Sequence, residues 1–305
     1  EKKLAKDGKD LIPEEFIQES LKDKVKIKKY LDESADYLKK IVKDETKWTS
    51  VKKGKNTEVF WFKDTDKTYC QFLTVSVVER TPRDVYSFLR ADQHRLKWDR
   101  DVSRHERIAP IDVDEESDLG YDLTYTRTQP ICGGIVTARS FLNLRVGKYD
   151  ESTGSFYESA VSIDAEIVPE TPERTDCSTK AKLFFGSGGL FEPANGGKHC
   201  KMSYVTFTDP CGWLPHALVN KIMPSEMVDY FTLIKNTMAA EKYAYQLIHV
   251  PGTKKEMQNA HLLEQEKDEE KGREQKRGAE IKKDNASQSP TAEKENVVDL
   301  DAFLD

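Results

Sequence analysis

The feature that most constrains this chain is a series of short alternating segments between Glu58 and Thr208, joined by connections too brief for parallel crossovers. Glu58 to Lys63 and Tyr69 to Val78 are rich in β-branched and aromatic residues and flank the turn Asp64-Thr-Asp-Lys67, which predicts a hairpin. Further strand signals run over Tyr121 to Arg127, Ile135 to Val146, Ser155 to Ile163, Thr179 to Phe185 and Met202 to Thr208, with glycine-rich or acidic turns between them. The meander is therefore expected to be antiparallel.

Helical signals bracket these strands. Near the N-terminus Tyr30 or Leu31, with Ala35, Leu38 and Ile41, forms an apolar stripe at helical spacing. Thr81-Pro82-Arg83-Asp84 supplies an N-cap, a proline at the first helical position and an early acid, so a short helix should follow, and a second should carry Arg95 and Trp98. From about Leu214 a long helix is expected, with Gly212 permitting a tight turn and Pro215 suiting the first turn. Met227, Phe231, Ile234, Met238 and Tyr245 share roughly one face of it, and methionines there can fill irregular space or line a cavity. The order helix, strands, short helices, many strands, long helix fits an α+β fold, a curved antiparallel sheet closed by its C-terminal helix.

The 305 residues are 37% hydrophobic, enough for a sizeable core, and the net charge of -6 gives no case for nucleic-acid binding. No run approaches the roughly 18 to 20 apolar residues of a membrane-spanning helix, so a cytoplasmic chain is expected. It starts at Glu1, which leaves room for a targeting or membrane segment ahead of it. Cys70, Cys132, Cys177, Cys200 and Cys211 form no Cys-x-x-Cys pair and read as free thiols; with no His-Glu-x-x-His, neither metal nor cofactor is expected. Residues 254 to 305 are dominated by Lys, Glu, Asp, Gln and Asn and read as a disordered tail. Its end, Val297 to Asp305, alternates acids with bulky apolar groups in the manner of a docking motif for a protein partner.

Catalysis finds little support. Ser187 and His216 are the best nucleophile and base, but no Gly-x-Ser-x-Gly elbow presents them, and Cys211 reads more simply as a structural thiol. The stretches 186–189 and 195–197 lack a phosphate loop's Gly-Lys-Ser/Thr ending and read as turns.

Three pieces in register resemble the START domain family of lipid-transfer modules: Trp98-Asp99; Gly133-Gly-Ile-Val-Thr-Ala-Arg139-Ser-Phe-Leu-Asn-Leu-Arg145; and Cys211-Gly-Trp-Leu-Pro through Ile222. The resemblance covers about residues 30–250, leaving a charged, partly helical leader over 1–29 and the tail over 251–305. It implies a helix-grip fold, with a tunnel between sheet and C-terminal helix enclosing one lipid. Each buried methylene is worth about 0.8 kcal/mol, so an enclosed carrier removes much of the cost of moving a lipid through water. The expectation is a shuttle, not an enzyme, whose partners are a lipid and, transiently, the surfaces of organelle membranes.

Within the family the chain looks nearest the sterol-binding branch, implying a ligand such as cholesterol. Arg145 matches a cavity arginine that in those relatives faces an acid; the corresponding position is Thr126, and Asp122, on the same strand face, can substitute. The phosphatidylcholine-transfer branch supplies a competing expectation, with Arg95 on a phosphate, Asp99 and Trp98 close by, and Tyr121, Tyr125 and Phe141 as candidates to cage choline. Either lipid would lie along Met227, Phe231, Ile234 and Met238. Trp213, Leu214 and Pro224 are the expected gate, since a proline inside a helix removes a hydrogen bond and makes a hinge. A third reading is a lipid-sensing interaction module.

Overall fold

A computed structural model describes residues 24–63, 70–113, 119–130, 134, 136–163, 179–212 and 216–240. The expectations for the charged leader before residue 24, for Trp213 and Leu214, for Tyr245 and for the tail lie outside them.

Helix α1 (Lys24–Lys43) is set by its stripe: Ile27, Leu31, Ala35 and Leu38 recur at three or four residues and are all buried. Strands β1 (Trp48–Gly54), β2 (Thr57–Phe62) and β3 (Cys70–Val78) form a meander. Helix α2 (Pro82–Arg90) opens with a complete capping box, Thr81 accepting from the Asp84 backbone N–H while the Asp84 carboxylate accepts from that of Thr81. A 3₁₀ turn (Asp92–His94) and the single-turn α3 (Arg95–Trp98) complete the connection. Then come β4 (Val102–Val113), β5 (Gly120–Thr128), β6 (Ser140–Asp150), β7 (Ser155–Ser162), β8 (Lys182–Leu183), β9 (Gly188–Ala194) and β10 (His199–Asp209), before the closing helix α4 (His216–Ala239).

The strands form one sheet in the order β1-β2-β3-β10-β9-β7-β6-β5-β4, with β8 attached to β10 and every pairing between them antiparallel. Period-two alternation divides it into two faces. Leu123, Tyr125, Leu142, Leu144, Val205 and Phe207 pack with α1 on the outer face. On the inner face Phe156, Phe191 and Met202 pack with α2, Trp98 of α3 and the Phe231, Ile234 and Met238 stripe of α4. Met227 closes a smaller cluster with Val59 and Phe72.

Two strands carry no clear period-two signal. β4 is an edge strand with register irregularities and Pro110 in its run, which blunt the edge against further pairing. β9 begins at Gly188-Gly189, inside a stretch that reads as a turn; Gly188, at φ 148°, lies so close to the Glu158 carbonyl that a Cβ would clash with it. Helix α4 continues through Pro224 without interruption.

Candidate functional site

Between the inner sheet face and α4 lies a cavity of about 390 Å³. Leu89, Phe141, Met202, Met223, Met227 and Phe231 give it an apolar wall, and the Thr74 hydroxyl donates to the Met227 sulfur at 3.4 Å.

One side of the wall is backed by an ion network. β5 and β6 pair Asp122 directly with Arg145, whose Nε and one terminal nitrogen each donate to the carboxylate at 2.9 Å. The same guanidinium donates to both oxygens of Asp92, at 3.1 and 2.8 Å. From α2, Arg90 donates to Asp122 at 3.0 Å and to Glu158 at 2.9 Å, and Arg107 approaches Asp122 at 2.9 Å. Three guanidinium groups (Arg90, Arg107, Arg145) thus meet three carboxylates (Asp92, Asp122, Glu158). That balance makes their burial tolerable. Burial opposes ionisation of Asp92 and Asp122, but the Arg145 charge and hydrogen bonds outweigh it and hold both carboxyls below the usual range, Asp92 well below it.

Arg145 is therefore no surface cation, and neither it nor Asp122 reaches the cavity: Arg90 and Glu158 form the wall there. Thr126 is also off the wall, sharing a 2.8 Å hydrogen bond with His105, whose other ring nitrogen meets Asp92 at 2.8 Å. Tyr125 lies on the wrong face for a choline cage. It follows Thr124 along the strand, so period two turns it outward to the α1 core, and Tyr121 likewise donates to Asp32 of α1 at 2.7 Å. Of the proposed cage only Phe141 lines the cavity.

Arg95 does line the cavity, 24% exposed, but it is occupied. Its Nε donates to Asp99 at 2.6 Å and a terminal nitrogen donates to the Tyr230 hydroxyl at 2.8 Å, while that hydroxyl donates to Asp99 at 2.8 Å. The i,i+4 pair is thereby closed by a residue of α4. Trp98 is buried beneath it, 4.8 Å from the Phe88 ring centroid and with the Arg95 guanidinium 5.1 Å above its own. On α4, Met227, Phe231 and Ile234 line the cavity, whereas Met238 belongs to the core beyond its end.

The loop leading to α4 is fastened by Arg139, which donates to the carbonyls of Pro210 at 2.5 Å, Thr137 at 2.6 Å and Cys211 at 3.3 Å. Burial, with Asp209 adding to it, pushes the Cys211 thiol up to about 11, the reverse of an activated nucleophile. Among the described residues no group of His, Cys, Asp or Glu could hold a metal, and no helix is long and apolar enough to cross a membrane.

Tyr86, Arg90, Glu158, Tyr204 and Tyr230 also line the cavity, and no sequence motif marks them. Glu158 carried a usable signal, being the sole charge in Ser155–Ser162. On β10, Tyr204 faces the cavity near it; burial, with the Glu158 charge adding to it, pushes the Tyr204 hydroxyl up to about 12.

Compared with known proteins, residues 28–242 match the START domain family model. Human StAR-related lipid transfer protein 5 is similar in fold, with a TM-score of 0.59 at 17% identity over 72% of this chain and 99% of that one. Human STARD10 is similar at a TM-score of 0.56 and 19% identity, over 75% and 83% of the two chains. No curated protein matches by sequence.

Proposed function

Because this chain belongs to the START domain family, we propose that it is a lipid carrier, holding one sterol such as cholesterol in the cavity between its sheet and α4 and passing it between membranes. The observation that carries the reading is the cavity itself: apolar, about 390 Å³, and bounded by arginines that are already engaged. That volume sits toward the low end of the roughly 300 to 1,000 Å³ of ligand sites, which suits a compact ring system better than two acyl chains with a phosphate head. Arg90 is held by Asp122 and Glu158, Arg95 by Asp99 and Tyr230, and Arg139 by backbone carbonyls. A neutral ligand asks none of these pairs to break.

Arg95 favours a second reading, phosphatidylcholine, because it reaches the cavity. A phosphate there would have to displace Asp99, leaving a buried carboxylate without its cation, which is costly. The test is native mass spectrometry after exposure to a mixed-lipid extract. One bound sterol is expected; a bound phosphatidylcholine instead would overturn the sterol assignment.

A further inference from the structure

Glu158 is the feature of the cavity wall that its apolar lining does not explain. Its Oε2 accepts from Arg90 at 2.9 Å, with Arg145 4.0 Å away, while no described residue donates to Oε1. The side chain is 20% exposed, whereas Arg90 beside it is 1% exposed, so of these two wall residues the carboxylate offers the cavity more of its surface.

The sheet is shaped around this carboxylate. Register places Glu158 between Gly147 of β6 and Gly189 of β9. A Cβ at 147 would collide with the Tyr86 hydroxyl and come within 3.5 Å of the Arg90 guanidinium carbon. At 189 it would lie 2.7 Å from the Phe191 ring and 3.0 Å from that of Tyr204. Glycine in a strand marks close approach of another group, and here both neighbouring strands are thinned. Tyr86 and Arg90 settle over one, Tyr204 and Phe191 over the other.

We propose that Glu158, with the Tyr204 hydroxyl beside it, is the head-group acceptor of this cavity and selects a lipid that donates a hydrogen bond, such as a sterol alcohol, over one that only accepts or is anionic. The inference rests on the reading of the cavity as a sterol site. An ionised carboxylate accepts and cannot donate, so it binds an alcohol by a charge-assisted hydrogen bond and offers a ketone nothing. A sulfate or phosphate at the same place meets like charge. The Tyr204 rotor can donate back to the alcohol oxygen, giving that oxygen both its partners.

The experiment measures binding of cholesterol and of the matching 3-ketone to the wild-type chain and to Glu158→Gln, by competition against a fluorescent sterol. A hydrogen bond to a charged group is worth about 1.5 to 3 kcal/mol, so the wild type should prefer the alcohol by about tenfold or more. The glutamine amide can accept from the alcohol or donate to the ketone, so in Glu158→Gln the preference should fall to within about threefold. Equal wild-type binding of both, or an undiminished preference in the variant, would overturn the role of Glu158 and leave the sterol reading standing. Binding of neither would sink both. The wild-type ratio needs no substitution, so it decides the question even if the variant does not fold.

Discussion

Arg145 is saturated by two carboxylates before any ligand arrives, and this changes what its removal should do. Taking one member from a buried ion network leaves uncompensated charge and typically costs about 3 to 5 kcal/mol. Arg145→Leu should therefore lower unfolding stability by about that amount, read from denaturant curves, and any lipid lost with it would reflect the damaged fold. The acid limb follows from Asp122. Its folded pKa is depressed, so its contribution is present above the unfolded carboxyl value of about 3.9 and disappears as pH falls through the lower folded value. Between pH 7 and pH 3 the wild type should lose more stability than Asp122→Asn; parallel losses would show that the pairing contributes nothing. The Asp122 and Arg145 pairing is legible in the sequence because both residues obey the same period-two face. Arg90 and Glu158 are not, since α2 meets β7 only when the whole sheet is assembled. Tyr125 shows the converse, for the parity that brings Asp122 inward sends Tyr125 to the α1 side, and the sequence already contained that fact.

Among the elements, those written in local chemistry were the readable ones. The Thr81 capping box and the Met227 to Met238 stripe predict α2 and α4, because caps and helical periodicity act within a few residues. β4 and β9 were hidden, one behind edge irregularities and Pro110, the other behind glycines whose purpose is the close approach of groups remote in the chain. Helix α4 is held to the short-helix connection by Tyr230, through Arg95 and Asp99, and carries Pro224 within its continuous length. Proline there leaves the carbonyl of residue 220 without its intrahelical partner, a built-in weak point in the helix proposed as the gate. Pro224→Ala should slow sterol transfer between vesicles more than it alters equilibrium affinity. Equal transfer rates in the two proteins would remove Pro224 from the gate.

At the scale of the whole molecule, the sheet order explains why a chain of local hairpins can enclose a cavity. β3 pairs with β10, so the first meander closes against the last strand and the sheet becomes continuous, with α1 covering its outer face and α4 its inner one. Both edges are protected, β1 by a bulge near Val51 and its lysines, β4 by its irregular register, which disfavours sheet-to-sheet association. What remains unburied on the inner face is the apolar cavity, and its ion pairs are satisfied without a ligand. Those two facts together support the proposed carrier of neutral lipid. The most direct test is exchange of a fluorescent sterol between donor and acceptor vesicles at protein concentrations far below that of the sterol. The account predicts many sterol molecules moved per protein, at a rate proportional to protein concentration; uptake that stops at one sterol per protein, with nothing delivered to the acceptor, would contradict it.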